Sequence, residues 1–205
     1  MHELTTSFVL GYHGCDRSVA EALITGDEFR HEENAWDWLG SGAYFWESNP
    51  LRGLEYAYEL KANPQKTKGS VEEPAVVGAV IDLGLCLDLT SSTGIRALKA
   101  SHDSFVKLCG TEGRAIPTNK GGPDRLMRNL DCAVINHLHA ARTAAKLPPF
   151  DTVKGVFQEG KPIYRGAGFR ENTHIQVCVR NRECIKGVFR VPARYLRDFA
   201  PSQSA

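Results

Sequence analysis

Three groups of residues in the first sixty positions have the types and spacing to grip a planar ligand. Tyr12-His13-Gly14 places an imidazole at the end of an apolar run, beside a residue with no Cβ, so a flat molecule can lie against the backbone there. Gly40-Ser41-Gly42-Ala43-Tyr44-Phe45 again sets glycines where main chain passes close to something, followed by aromatics that can stack. Gly53 and Tyr56 are about one helical turn apart, so a small residue and an aromatic share a face. Taken singly, each group has a plainer explanation: a strand-end turn, a β-turn and a core tyrosine. Nor is Gly40-x-Gly42 the dinucleotide fingerprint G-x-G-x-x-G, which needs a strand before it and a helix opening from the glycines.

A fourth group comes late in the chain. In Thr173-His174-Ile175-Gln176-Val177-Cys178-Val179, strand alternation puts His174, Gln176 and Cys178 on one face and Ile175, Val177 and Val179 on the other. His174 and Gln176 are then neighbours that either enter a site or simply form the polar outer face of an amphipathic strand. Glu159 and Glu171 lie on flanking loop segments, where carboxylates are more often solvated than functional. His137 and His139 are two apart on an expected helix and do not face each other, which argues against a metal pair.

The elements that must position these residues follow from the patterning. A buried strand is expected over residues 8–14, then a helix capped by Asp16 and closed by Gly26, a polar stretch over 27–37 and a strand over 40–46. Asn49-Pro50 opens a helix near 51–60. An exposed loop over 63–74 leads to a strongly β-like run over 75–89 and a helix over 94–108. A glycine-rich loop over 110–123 and a mostly buried helix over 125–145 come next. Strands at 152–157, around Tyr164, at 174–180 and at 185–191 complete the chain. Strands and helices do not alternate as a doubly wound fold requires, so the class is α+β with mainly antiparallel sheet, in one domain over residues 1–205.

In order and spacing, the early groups resemble the poly(ADP-ribose) polymerase and diphtheria-toxin group of ADP-ribosyltransferases. There a His-Gly strand is followed some thirty residues later by G-x-G-x-Tyr-Phe and then by a helix with a small residue and a tyrosine. His13 and Tyr44 are thirty-one positions apart here. The resemblance implies two mainly antiparallel sheets split around an NAD cleft, with flanking helices. It implies that NAD is contacted by Tyr12, His13, Gly14, Gly42, Tyr44, Phe45, Gly53 and Tyr56. His13 would bond the nicotinamide-side ribose, Gly14 the carboxamide, and Tyr44 and Tyr56 would sandwich the ring. His13, Tyr44 and a late-strand residue would be catalytic.

In that group the late-strand residue is often glutamate, whereas the matching position here falls on Gln176 or, in a register two residues earlier, on His174. A neutral amide brings no charge to an oxocarbenium-like transition state, which favours single transfers over chain elongation. Glu159 and Glu171 are reserve candidates for the missing charge. The expected activity is mono-ADP-ribosyl transfer to a protein or nucleic acid, as in a toxin or defence enzyme with a neutralising partner. NAD hydrolysis and a non-enzymatic NAD-binding role are the alternatives.

Composition narrows little further. Twenty-five basic and 24 acidic residues give a net charge of +1, so no global field selects a polyanion. Six scattered cysteines form no C-x-x-C pair and are expected to be free thiols. Neither a secretory leader nor an apolar run of about 18 residues is visible, and a cytoplasmic location is expected.

Overall fold

The structure, a computed structural model, describes residues 8–66, 69–122 and 124–197. Residues 1–7, Thr67 and Lys68 of the expected loop, Pro123 and residues 198–205 lie outside it. Seven strands share one sheet: β1 (Phe8–Asp16), β2 (Ala43–Glu47), β3 (Pro74–Asp82), β4 (Cys86–Asp88), β5 (Thr152–Phe157), β6 (His174–Val179) and β7 (Ile185–Arg190). Their spatial order is β4-β5-β6-β2-β1-β3-β7, and every neighbouring pair is antiparallel except β4 with β5. The α+β class is therefore as expected. The expected pair of sheets is instead one hydrogen-bonded sheet with a weak seam: β1 aligns nine residues with β3 but only Gly11 and Tyr12 with β2.

Helices cover both faces. The first, α1 (Arg17–Thr25), buries Ala20 and Leu23 against Cys15, Phe45, Val77, Ala79, Ile81, Val177 and Val179. The opposite face carries α2 (Pro50–Ala62), α3 (Ser92–Glu112) and α4 (Asn129–Ala144). Leu54 of α2 packs with Tyr12 and Val76, and Ile135 of α4 with Leu39, Leu87, Val153 and Cys178. Local chemistry starts these helices where the sequence indicates: the Asp16 carboxylate accepts from Ser18 N–H, and Asn49 accepts from Arg52 N–H with Pro50 following.

Several boundaries differ from expectation. The run 75–89 is two strands, because Gly84 turns at φ 53° and sends β4 to the far edge of the sheet. Helix α3 runs through Gly110 and stops where Gly113 adopts a left-handed conformation, so the glycine-rich loop begins later. Helix α4 begins four residues late: Arg125 has φ 50°, Lys120 bridges Met127, and Leu126 is exposed rather than buried. Around Tyr164 there is no strand, only an isolated bridge between Pro162 and Arg170. Phe8 and Leu10 are exposed, so β1 is buried only from Gly11 onward.

Candidate functional site

The weak seam gathers the early motifs. Ser48 N–H donates to the Leu10 carbonyl at 2.8 Å, so Leu10 turns its main-chain groups toward β2, and by strand alternation so do Tyr12 and Gly14. The β1–β2 pairing stops at Tyr12 with Trp46. Gly14, next in that series, turns its N–H and C=O to the β2 side, where it has no strand partner among the described residues. In place of a ladder bond, the His13 side chain spans the seam, its Nδ1 donating to the Tyr44 carbonyl at 2.9 Å. That bond fixes the tautomer, because a carbonyl only accepts, and leaves Nε2 as an acceptor.

The ring of His13 lies on the α1 face, edge-on to Phe29 at 5.4 Å and tilted to Phe45 at 5.8 Å. Burial pushes its pKa down, opposed by the Tyr44 carbonyl and the Glu32 charge. Tyr44 points to the other face. Its hydroxyl donates to the Gly40 carbonyl at 2.7 Å and accepts from Leu39 N–H at 2.9 Å, so it locks the Gly40–Gly42 turn. Tyr44→Phe should therefore leave the buried Leu39 N–H unpaired and cost about 1–3 kcal/mol, read as a shift in the denaturant midpoint.

The glycines act differently from one another. A Cβ on Gly14 would lie 1.9 Å from the Gly53 carbonyl oxygen, so the Gly14–Gly53 contact brings α2 against β1. A Cβ on Gly42 would meet Cys178 Sγ at 2.5 Å and the Val179 carbonyl at 2.6 Å, so Gly42 packs on β6 and does not line a ligand site. Tyr12 and Phe45 are likewise core residues, in separate clusters. Tyr56, on α2, contacts Trp46 at 4.9 Å between centroids rather than Tyr44, and burial raises its pKa to about 12.

Beyond the seam, the late strand keeps the expected alternation, but His174 is buried and so is not an outward polar residue. Its ring stacks on Phe157 at 5.6 Å and tilts toward Trp46 at 6.2 Å. His174 Nδ1 donates to the Asn172 carbonyl at 2.6 Å, and burial chiefly pushes its pKa down to about 4, leaving a neutral ring with a basic Nε2. Gln176 departs from its expected role: Trp38 Nε1–H donates to its Oε1 at 2.5 Å. That donor fixes the amide orientation and turns the NH₂ end, which donates rather than accepts, toward the remaining space.

The reserve carboxylates are engaged. Arg52, 5% exposed, pairs with Glu59 at 2.8 Å, Glu159 at 3.3 Å and Glu55 at 3.8 Å. Glu171 accepts from Lys161 N–H at 3.0 Å and shapes the loop after β5. The sequence reading missed Phe29, Trp38 and Leu39, which lie in or just after the supposedly polar stretch and anchor residues 27–42 across the seam. Their apolar character within that stretch was the available signal. Two open hollows lie elsewhere, one of about 210 Å³ at Phe150, Arg180 and Asn181, the other of about 510 Å³ at Arg17, Glu21 and Glu73.

His137 and His139 part company: His137 Nε2 bonds Ser104 Oγ at 3.1 Å, while His139 is buried on Phe150 with both nitrogens sealed and unpartnered. Burial, with Arg180 and Arg142 nearby, lowers its pKa to about 3. His139 and His174 therefore stay neutral in the fold while the unfolded chain protonates near pH 6.5. Their contribution is intact above that pH and is lost as pH falls from 6.5 toward 4 and 3. At pH 5 each is expected to cost about 2 kcal/mol, and His139→Leu should flatten the fall of melting temperature between pH 7 and 5.

All six cysteines are free. No helix among the described residues is long and apolar enough to cross a membrane. The chain is similar to the uncharacterized protein MJ0359 of Methanocaldococcus jannaschii, 26% identical over 194 residues that cover 85% of this chain and 83% of that one. No family model and no solved structure matches it.

Proposed function

We propose that this protein is an NAD-dependent mono-ADP-ribosyltransferase whose site is the seam between β1 and β2. The observation that carries the reading is the end of the β1–β2 pairing at Tyr12, which leaves Gly14 without a β2 partner among the described residues, beside a His13 ring locked to the Tyr44 carbonyl. An N–H and a C=O turned to the same side match the C=O and NH₂ of a carboxamide, here that of nicotinamide. His13 Nε2 then accepts from a ribose hydroxyl. Tyr56 and Tyr44 stand on the α2 face of the seam without contacting each other and flank the nicotinamide.

The bond between the nicotinamide nitrogen and ribose C1′ breaks with its electron pair leaving on the nicotinamide. An acceptor hydroxyl or amine bonds to C1′ and gives its proton to His174 Nε2, which is unprotonated at neutral pH. Gln176 NH₂ orients the ribose or the acceptor by donating to an oxygen.

Incubating the protein with NAD labelled in the nicotinamide and adenine moieties, together with a cell lysate, tests this directly. Nicotinamide release with adenine label on protein, DNA or RNA is expected, and the labelled fraction identifies the acceptor class. Release with no labelled macromolecule assigns NAD hydrolysis instead. A protein that neither binds NAD nor releases nicotinamide overturns the reading.

A further inference from the structure

We propose that two hairpins at the His174 end of β6 dock a single strand of nucleic acid, which makes nucleic acid the acceptor of the reaction above. Only the acceptor half of this inference rests on the NAD-cleaving reading. The first hairpin is closed by Lys120 N–H donating to the Met127 carbonyl at 2.8 Å and Met127 N–H donating back at 2.9 Å. The second, between β5 and β6, is closed by the bridge of Pro162 with Arg170 and by Ile163 N–H donating to the Phe169 carbonyl at 3.2 Å. Asp124 ties one to the other, accepting from Gly160 N–H at 3.0 Å and from Arg170 at 3.1 Å.

Main chain braces both hairpins, yet they turn apolar side chains to solvent. Phe169 and Tyr164, 63% and 60% exposed, are the two most exposed large apolar residues among those described. Ile163, Leu126 and Met127 are exposed on the same two hairpins. Apolar groups held outward by ordered backbone mark an interaction surface.

Charge selects the occupant. Residues 120–128 and 160–170 hold six cations against the single carboxylate of Asp124, a local net of +5 on a chain of +1. The carboxylate of Asp124 is taken up by Arg170 and Gly160 N–H, so the surface faces solvent as a basic one. A polyanion that also offers flat apolar faces fits both features: phosphates meet Lys161, Arg165 and Arg125 while bases stack on Tyr164 and Phe169. An acidic peptide would pair with the cations and leave the two rings without a stacking partner, and a duplex keeps its bases stacked on one another.

The surface adjoins the proposed site. The second hairpin joins Phe157 to His174, whose rings stack at 5.6 Å, and Arg128, next after the first hairpin, lies over Phe157 at 4.9 Å. A strand of several nucleotides held there reaches the His174 end of the sheet, where its hydroxyl or amine bonds to C1′ and yields its proton to His174 Nε2.

Titration with an oligouridylate of about 12 nucleotides, its deoxy counterpart, a DNA duplex, polyglutamate and phosphatidylserine vesicles tests the docking without any turnover. Single strands should bind at least about tenfold tighter than the duplex, and the stronger of the two names the sugar. Affinity should fall about tenfold in Tyr164→Ala and in Phe169→Ala, while Tyr195→Ala, an exposed aromatic outside the hairpins, matches wild type. Lys161→Ala and Arg165→Ala should each flatten the slope of log affinity against log salt by about 0.7. All these side chains are exposed, so melting temperatures should stay at the wild-type value. Wild type that binds neither strand, that binds duplex, polyglutamate or vesicles as tightly, or that keeps its affinity when Tyr164 and Phe169 are both alanine overturns the docking surface. With labelled NAD added, adenine label is expected on the bound strand. NAD cleavage beside a bound but unlabelled strand overturns the acceptor assignment alone. Strand binding by a protein that never cleaves NAD overturns the reading above and leaves the surface standing.

Discussion

A Gly14→Ala protein is expected to melt about 10 °C below wild type, a large loss for one added methyl group. The new Cβ would lie 1.9 Å from the Gly53 carbonyl oxygen, 3.0 Å from the Gly53 carbonyl carbon and 3.2 Å from Ala57 N. All three are helix backbone and cannot rotate away as a side chain would, so α2 must lift from β1. Overpacking of this kind costs about 3 kcal/mol, and each kcal/mol lowers Tm by roughly 2–4 °C in a domain of this size. The same lift would move Tyr56 and close or distort the seam beside Gly14, so nicotinamide release should fail together with stability. Gly110→Ala is the natural comparison: its Cβ meets nothing within 4 Å inside α3, and the exchange should stabilise by up to about 1 kcal/mol. Thermal denaturation of the two variants checks both directions, and equal melting of Gly14→Ala and wild type would contradict the close approach of α2 to β1.

His13→Asn and His13→Gln are expected to separate what the two imidazole nitrogens do. Asparagine can place its amide N–H near the position of Nδ1 and keep the bond to the Tyr44 carbonyl, but it offers nothing at Nε2. Glutamine reaches the position of Nε2 and gives up the short bridge. His13→Asn should therefore hold the melting temperature within about 3 °C while nicotinamide release falls at least about 100-fold, since one hydrogen bond made in the transition state is worth about 3 kcal/mol. His13→Gln should lose stability by about 1–2 kcal/mol, because the Tyr44 carbonyl is left facing an unpaired seam, yet keep more turnover than the asparagine variant. Wild-type turnover in His13→Asn would mean that Nε2 touches nothing in the reaction.

Much of the architecture was legible locally. Asp16 and Asn49-Pro50 start helices where their capping chemistry says, and Val177 and Val179 enter one core cluster while Cys178 enters the other, as strand alternation requires. The errors fall where a local pattern has two solutions. Residues 75–89 are mostly apolar and mark the strand break only by Asp82 and Gly84, and residues 125–128 look helical until Arg125 adopts a positive φ. The stretch 27–39 was the costliest omission, because charged residues around Phe29, Trp38 and Leu39 masked three anchors. Those anchors bring Glu32 and Trp38 to the sheet.

The sequence by itself determined the strand and helix types, the pairing of a histidine with glycines and tyrosines, and the absence of a carboxylate at 176. These are consequences of side-chain period, caps and composition, all carried by neighbours along the chain. Only the tertiary structure decided that β1 and β2 part after Tyr12, that His13 and Tyr44 point to opposite faces, and that Gln176 spends its acceptor on Trp38. Each of those depends on partners between about 30 and 140 positions away, and the pairing of distant strands and loops is settled by packing rather than by local propensity.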